Sequence, residues 1–170
     1  KILCINYARE NKMPYLGLCL GFQLALIEFA RNVCGLKGAN STEMEPNLKY
    51  PVIDMLPEQK LLEGLGGNMR LGGQDVNVKK GTFAQKLYAN RIATKSDGTL
   101  VIRERFRHRW ECNPEYIPIF EKNGIVFSGK AATNEKIMQI LELPNHPFFL
   151  GTQFHPEFTS KPLDQSPLFK

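Results

Sequence analysis

The sequence is poor in cysteine and lacks any paired cysteine spacing. Its 170 residues include four cysteines, and no two of them form a C-x-x-C pair. They stand at Cys4, Cys19, Cys34 and Cys112. Because disulfide scaffolds and zinc sites both need paired or clustered cysteines, this spacing argues against both. We therefore expect no metal site in this chain and at least one thiol with a chemical role.

A long apolar run is also absent. The longest mostly apolar stretch, Leu16 to Ile27, is interrupted by Gln23 and contains two glycines. It falls short of the ~20 residues that a membrane-spanning helix needs, so the sequence predicts no membrane association. Residues 1–6 lack the sustained apolar core and the small-residue cleavage site of a secretory signal. We expect a cytoplasmic location.

The charge of the sequence is only mildly basic. The net charge is +5 at neutral pH, which is too small to predict a nucleic-acid partner. With 42% hydrophobic and 23% charged residues, the composition is that of a globular protein. The length suits one domain with a sizeable core, so we treat residues 1–170 as a single domain.

Hydrophobic patterning and turn residues predict an alternation of helices and strands. The predicted helices cover residues 1–12, 22–33 and 114–123. The predicted strands cover residues 15–18, 51–55, 100–110, 125–129, 137–143 and 148–154. Residues 58–73 carry five glycines and predict a loop, with strand pairing expected near its end at residues 69–71, whereas residues 74–80 and 81–88 are ambiguous. Strand, helix and strand in this order predict an α/β fold.

One motif joins the first predicted strand to the buried helix: Gly17-Leu18-Cys19-Leu20-Gly21. This G-x-C-x-G pattern is the thiol form of a nucleophile elbow, in which flanking glycines let the backbone turn back sharply. A helix that begins at Leu20 would favour negative charge on Cys19 and lower its thiol pKa, and the Leu20 N–H would face a developing oxyanion. The alternative is a buried structural cysteine.

A thiolate nucleophile needs a base, and the sequence has three histidines. In His155-Pro156-Glu157, an extended backbone would place His155 and Glu157 on the same side, with Glu157 holding one imidazole nitrogen. This predicts a catalytic triad of Cys19, His155 and Glu157; the alternative is a surface pair or a core histidine. His146 fits a turn and His108 lies in a basic strand.

The elbow with Gln23, followed far downstream by His155-Pro156-Glu157, resembles the class I glutamine amidotransferase (triad glutaminase) family. Four further blocks, in order along the chain, are similar to the glutaminase domains of the CTP synthase family within that class. These blocks are Asn40 to Glu43, Gly66 to Gly72, Glu104 to Asn113 and Asn145 to Phe149. The resemblance implies a central, mostly parallel sheet flanked by helices. It also implies N-terminal strands, a Gly-rich loop before the elbow and an amidoligase domain, all of which we expect this chain to lack.

The resemblance implies hydrolysis of L-glutamine to glutamate and ammonia, with the ammonia passed to an amidoligase domain that converts UTP to CTP. It implies no cofactor in this domain, ATP, UTP and Mg in the amidoligase domain, GTP as an activator and a homotetrameric enzyme. It places glutamine contacts at Leu20, Gly21, Phe22, Gln23, Glu43 and Arg109. Physically, an acid such as Glu43 suits the α-ammonium of glutamine, and a cation such as Arg109 suits its α-carboxylate.

Other interpretations stay open. Arginines at 103, 105, 107 and 109 share one strand face by period two, which is also typical of a phosphate or nucleic-acid stripe. A catalytically inactive assembly module would have the same fold. Another cysteine-triad amidohydrolase would use the same three residues, but it would not need the Gly66 to Gly72 block.

Overall fold

The computed structural model of the protein describes residues 1–60 and 69–170, and for Lys60 it describes the backbone alone. Its helices are α1 (Ile2–Glu10), α2 (Leu20–Asn32), α3 (Pro57–Lys60), α4 (Phe83–Leu87) and α5 (Ile117–Lys122). Its strands are β1 (Tyr15–Leu18), β2 (Asn40–Ser41), β3 (Pro51–Asp54), β4 (Arg70–Val78), β5 (Ala93–Thr94), β6 (Leu100–His108), β7 (Glu111–Cys112), β8 (Val126–Ala131), β9 (Asn134–Glu142) and β10 (Phe149–Thr152). Short 3-10 helices cover Pro114–Tyr116, Pro156–Phe158 and Pro167–Phe169.

The strands of the described residues form two sheets. The larger has the order β1-β10-β9-β8-β4-β6-β5, and the smaller has the order β2-β3-β7. Helices lie against the larger sheet, so the predicted α/β class is confirmed. The expectation of a mostly parallel sheet is wrong for this part of the chain, because only β1 pairs in parallel within the larger sheet, with β10.

Short connections explain two of the antiparallel pairs, β8 with β9 and β9 with β10. Two residues join β8 to β9, and six join β9 to β10. A parallel neighbour needs a crossover of about a dozen residues or more, so such short links permit only hairpins. The chain between β1 and β10 is long enough for a parallel pair, and this pair brings the end of β1 beside the end of β10.

The predicted buried helix is confirmed as α2, which packs between α1 and the sheet. Every residue from Phe22 to Ala30 is buried, including Glu28. The Glu28 carboxylate accepts hydrogen bonds from the Arg9 guanidinium, at 2.9 to 3.2 Å, and from the side-chain amides of Asn6 and Asn32. This charge is therefore both paired and hydrogen-bonded, as a buried carboxylate must be.

Apolar side chains cover both faces of the larger sheet. One cluster includes Phe22, Ile27 and Phe127 on the side of α2, and the other includes Phe106 and Phe154 on the side of α4. The sheet is thus held on both sides at the end of β1, where the elbow lies.

The prediction of a loop is wrong for residues 58–60 and 72–73, the predicted pairing near residues 69–71 is confirmed from Arg70 onward, and the middle of the segment lies outside the described residues. Residues Pro57–Lys60 form α3, and β4 already begins at Arg70. The reason is tertiary: Arg70 to Val78 pairs over its whole length with β6, which supplies the hydrogen bonds that a glycine-rich segment lacks alone. The ambiguous residues 74–88 resolve into the rest of β4 and the helix α4, which Thr82 caps.

Candidate active site

The G-x-C-x-G motif forms a sharp turn between β1 and α2. Cys19 has φ 49° and ψ −100°, a strained backbone conformation for a residue with a side chain. A Cβ atom added at Gly17 would lie 2.5 Å from the Tyr15 hydroxyl and 2.8 Å from the carbonyl carbon of Gly21. At Gly21 the nearest atom would be 3.5 Å away. The surrounding atoms therefore exclude a side chain at Gly17 but not at Gly21.

Tyr15 holds the turn closed. Its hydroxyl donates a hydrogen bond to the carbonyl oxygen of Gly21 at 2.8 Å, across the elbow. Its ring stacks on Phe149 with 4.6 Å between centroids, so the side chain is fixed by the parallel neighbour strand. The first turn of α2 is thus tied to β1 and β10 together.

The Cys19 sulfur is half-buried at the top of this turn. The Cys19 N–H donates to the carbonyl oxygen of Thr152 at 2.7 Å, and Nε2 of Gln153 lies 3.8 Å from Sγ. Burial raises the pKa of the Cys19 thiol, and the charges of Glu157 and Glu43 act in the same direction. The Leu20 N–H and the Gln153 amide oppose this rise in the pKa. The expectation of a lowered thiol pKa is therefore wrong, because desolvation outweighs these donors.

His155 lies three residues beyond Thr152, which is the partner of Leu18 in the parallel pair. Its Nδ1 is 2.7 Å from Oε1 of Glu157. An ionised carboxylate only accepts, so this contact places a proton on Nδ1. Among the described residues, Nε2 is buried and has no hydrogen-bond partner. The structure thus pairs the predicted histidine and carboxylate and leaves the second nitrogen available.

The backbone between these two residues differs from the expected extended form. Pro156–Phe158 is a 3-10 turn, and Glu157 reaches the ring from within that turn. Proline is pre-organised for the first position of such a turn. The His155 N–H donates to the carbonyl oxygen of Arg105 at 2.9 Å, and its ring stacks on Phe158.

A buried carboxylate under this turn was not among the residues predicted from the sequence. Glu104, on β6, accepts hydrogen bonds from the Tyr88 hydroxyl at 3.0 Å and from the Thr159 hydroxyl at 2.8 Å. Because Thr159 directly follows the 3-10 turn, this network ties the turn to the sheet. The alternation along β6 points Glu104 inward between exposed arginines, and that pattern is the signal that could have identified it.

Glu104 also predicts a pH dependence of stability. Burial raises the pKa of Glu104, so the folded protein binds this proton at a higher pH than the unfolded chain does. The free energy of unfolding should therefore fall as the pH rises from the ordinary carboxyl pKa through the raised one, and level off above it. Glu104→Gln should remove this part of the slope, measured by denaturant unfolding across a pH series. The exposed Glu121→Gln is the matched control, and equal slopes in wild type and Glu104→Gln would contradict the prediction.

A cleft of about 490 Å³ opens beside the elbow. Its lining comprises Cys19, Leu20, Gln23, Glu43, Met44, Met69, Arg107, His108, Arg109 and Trp110. It brings an acid and a cation to one space next to the thiol: Glu43 is exposed, and the Arg109 guanidinium lies over the Trp110 ring. Cleft walls with opposite charges suit a zwitterionic ligand.

Four of the six residues predicted to contact glutamine line this cleft: Leu20, Gln23, Glu43 and Arg109. Gly21 and Phe22 do not. The Phe22 side chain is fully buried in the core on the sheet side of α2, so only its backbone can face a ligand. The Gln23 amide is engaged in the protein, donating to the carbonyl oxygen of Trp110 at 2.8 Å.

The other two histidines have structural surroundings. His146 sits in a turn, as predicted, with Nε2 3.1 Å from the Ala8 carbonyl oxygen. His108 is buried at the end of β6, 2.8 Å from the Glu111 carboxylate, which also pairs with Arg70 at 2.7 Å. Of this buried group, His108 lines the cleft.

The predicted arginine face is confirmed for three positions of β6, which are exposed at 103, 105 and 107. Arg109 lies past the end of the strand, in the cleft. Arg103 pairs with Asp75 on the neighbouring strand at 2.8 Å.

Within residues 1–60 and 69–170, no group of acidic, cysteine and histidine side chains has the arrangement of a metal site. No helix in this part of the chain is long and apolar enough to span a membrane.

Comparison with known proteins gives the class that the elbow and the sheet define. A family model described as "Glutamine amidotransferase class-I" matches residues 1–170, and the chain belongs to this family. The chain is 33% identical to the glutaminase domain of Trypanosoma brucei CTPS with bound acivicin, with a TM-score of 0.87. This match covers 99% of the chain and 61% of that structure.

Within the family, the chain is similar to curated CTP synthases. It is 55% identical over 169 residues to the CTP synthase of Pyrococcus horikoshii and 53% identical over 170 residues to that of Thermococcus gammatolerans. These matches cover 99% and 100% of the chain. The chain spans about 30% of the length of each of these two relatives.

Proposed function

We propose that this chain is the glutaminase portion of a CTP synthase. It hydrolyses L-glutamine to glutamate and ammonia, and an amidoligase portion of the same polypeptide uses that ammonia with ATP to convert UTP to CTP. The observation that carries the proposal is a strained cysteine at a nucleophile elbow, whose N–H donates to Thr152, three residues before a histidine whose Nδ1 is held by a carboxylate. The similarity to CTP synthases over nearly the whole chain supports the choice of reaction.

In the first half of the reaction, Cys19 is the nucleophile. The thiolate sulfur attacks the side-chain amide carbon of glutamine, and the resulting oxyanion accepts a hydrogen bond from the Leu20 N–H at the start of α2. Nε2 of His155 holds the proton that the Cys19 thiol gave up and passes it to the departing nitrogen, so the carbon–nitrogen bond breaks and ammonia leaves. The product is a γ-glutamyl thioester on Cys19.

In the second half, His155 acts as the base. With Nε2 now unprotonated, it takes a proton from a water molecule, whose oxygen attacks the thioester carbon. The carbon–sulfur bond breaks, glutamate leaves and the thiolate is restored. Throughout, Glu157 accepts the Nδ1 hydrogen, which keeps the ring oriented and stabilises its charged form.

The cleft supports recognition of the amino-acid end of glutamine. The carboxylate of Glu43 suits the α-ammonium group, and the guanidinium of Arg109 suits the α-carboxylate. Glu43 and Arg109 line the same cleft as the thiol. A bound glutamine can therefore place its α-ammonium and α-carboxylate groups against them while its side-chain amide reaches Sγ. Leu20, Gly21, Phe22 and Gln23 contribute from the first turn of α2, the first three through their backbone.

The test is affinity labelling of the full-length protein with a glutamine-mimicking diazo ketone. Because this reagent needs both a reactive thiol and a glutamine-shaped pocket, we expect one label, on the Cys19 peptide, and suppression of the label by L-glutamine. Intact mass and peptide mapping give the site and stoichiometry. Glutamate and ammonia release are measured on the same samples.

Two other results would overturn the proposal. Labelling of Cys19 by a small alkylator but not by the diazo ketone would favour an inactive assembly module, since the thiol would be accessible without a pocket. Labelling that glutamine does not suppress, but that a peptide or another γ-glutamyl compound does, would favour a different cysteine-triad amidohydrolase. The release of glutamate in step with ammonia separates the proposed reaction from both.

A further inference from the structure

Gln153 is a buried polar residue that the reaction above does not use. It directly follows β10, its side chain is fully buried, and its N–H donates to the carbonyl oxygen of Gln139 at 2.9 Å. Because the preceding residue, Thr152, accepts from the Cys19 N–H, the parallel pair of β1 and β10 places Gln153 beside the elbow. A buried amide in this place needs partners for its donors and its acceptor.

The partners fix which end of the Gln153 amide faces the sulfur. The carbonyl oxygen of Trp110 can only accept, so the end of the Gln23 amide that lies 2.8 Å from it is the NH2 group. The same NH2 group lies 3.3 Å from Gln153, which must therefore present its own oxygen there. The remaining end of Gln153, its NH2 group, then lies 3.8 Å from Sγ of Cys19. The orientation of both side-chain amides is thus set by the backbone carbonyl group of Trp110, which cannot flip.

We propose that Gln153 is a further catalytic residue of this site, whose side-chain amide donates an N–H to Sγ of Cys19 and so favours the thiolate. The inference rests on the proposed function for its role in catalysis. A donor to sulfur stabilises the charged form more than the neutral thiol, because the thiolate is the stronger acceptor. The hydrogen bond from the amide thus offsets part of the destabilisation of the thiolate that burial causes.

The geometry also gives Gln153 a link to the cleft. The carbonyl oxygen of Trp110, which anchors the amide chain, belongs to the residue next to Arg109 in the cleft wall. The nucleophile and the cleft wall are therefore connected by two buried amides rather than by the backbone alone.

The experiment measures the sulfur itself, independently of turnover. In the full-length protein, the rate of Cys19 alkylation by iodoacetamide is followed against pH by quantifying the Cys19 peptide. Only the thiolate reacts, so the midpoint of the profile reports the apparent pKa of Cys19. Other charged or titratable groups near the sulfur are unchanged in all variants: Glu43, Arg107, His108, Arg109, His155 and Glu157.

Gln153→Met removes the donor with little change in volume, and we expect the midpoint to move to higher pH. The alkylation rate at neutral pH should fall about tenfold, as expected for a hydrogen bond to a charged group. The rate above the midpoint should be retained, because the thiol stays equally accessible. Glutamine hydrolysis at neutral pH should fall, and raising the pH should restore part of it.

Two further variants keep the test decisive. Gln153→Glu retains an acceptor for the Gln23 amide but presents a carboxylate oxygen to the sulfur, so its midpoint should rise at least as far as in Gln153→Met. Gln139→Met is the matched control, because Gln139 is also fully buried, and among the described residues its side-chain amide has no partner. Its midpoint should equal that of the wild type.

A profile of folded Gln153→Met or Gln153→Glu that coincides with the wild type would overturn the inference, and so would an equal shift in Gln139→Met. Thermal unfolding identifies which variants are folded. If the full-length protein does not hydrolyse glutamine at all, the proposed function fails by itself. The alkylation profiles then still support or contradict donation by Gln153 to the sulfur.

Discussion

Cys19→Ala in the full-length protein should reduce glutamine hydrolysis by about 10⁴-fold or more, the scale seen when the nucleophile of a catalytic triad is removed. No other described thiol can replace it, because Cys19 is the one cysteine among the residues that line the cleft. If the chain belongs to a CTP synthase, as proposed, synthesis of CTP from added ammonia should persist, since the proposed amidoligase portion does not need the thiol. Glutamate release and CTP formation are the two measurements.

Cys34 provides the matched control for this change. It is partly buried, its sulfur faces the carbonyl oxygen of Ile119, and burial raises its pKa to about 11. Cys34→Ala should leave glutamine hydrolysis unchanged. A similar loss in both variants, or full activity in Cys19→Ala, would contradict the assignment of Cys19 as the nucleophile.

The same position should show that the elbow is strained. Cys19 has φ 49°, a value that glycine adopts without a steric cost. Cys19→Gly should therefore be more stable than Cys19→Ala, by about 1 kcal/mol or more, the direction that the N-cap position of Cys19 also favours. Calorimetric unfolding of the two inactive variants measures the difference. Greater stability of the alanine variant would mean that the turn stores no strain.

The residues proposed as the triad could be located in the sequence because the proposed chemistry imposes a spacing. Cys19 stands between two glycines at a strand–helix junction, and His155 and Glu157 are two residues apart. Both patterns are local, so they survive without knowledge of the fold. The turn type between His155 and Glu157 was mistaken, but a 3-10 turn brings the two side chains together as an extended segment would have done.

The contacts of Gln153 and Glu104 could not be predicted because their partners are distant in the chain. Gln153 meets Cys19 from 134 positions away, and Glu104 meets Thr159 from 55 positions away. No spacing in the sequence identifies either contact. The prediction of a lowered thiol pKa failed for a related reason. The helix terminus that favours the thiolate is a local feature, whereas the burial that outweighs its effect on the pKa depends on how the whole sheet and cleft pack.

Strand direction was mistaken where the family resemblance was followed in place of connection lengths. The sequence places predicted strands at 125–129 and 137–143 only a few residues apart, a separation that permits a hairpin and no crossover helix. The observed β8–β9 hairpin agrees with that separation. The β1–β10 pair is the exception, and it is the pair on which the site depends.

Gly17→Ala should strongly destabilise the protein, whereas Gly21→Ala should not. A methyl group at Gly17 would lie 2.8 Å from the carbonyl carbon of Gly21, which is backbone and cannot move without opening the elbow. Overpacking of this kind costs about 3 kcal/mol or more, and thermal unfolding should show a lower midpoint by about 6 °C or more. At Gly21, in the first turn of α2, a methyl group meets only the Tyr15 hydroxyl at 3.5 Å.

Gly21→Ala then distinguishes an effect on the stability of the elbow from an effect on glutamine binding. Its unfolding midpoint should match or exceed that of the wild type, because alanine stabilises a helix relative to glycine by roughly 0.5–1 kcal/mol. If glutamine approaches the backbone of Gly21 closely, as the proposed site requires, the added methyl group should raise KM in this well-folded variant. Equal destabilisation of the two alanine variants would contradict the packing argument, and an unchanged KM would remove Gly21 from the glutamine site.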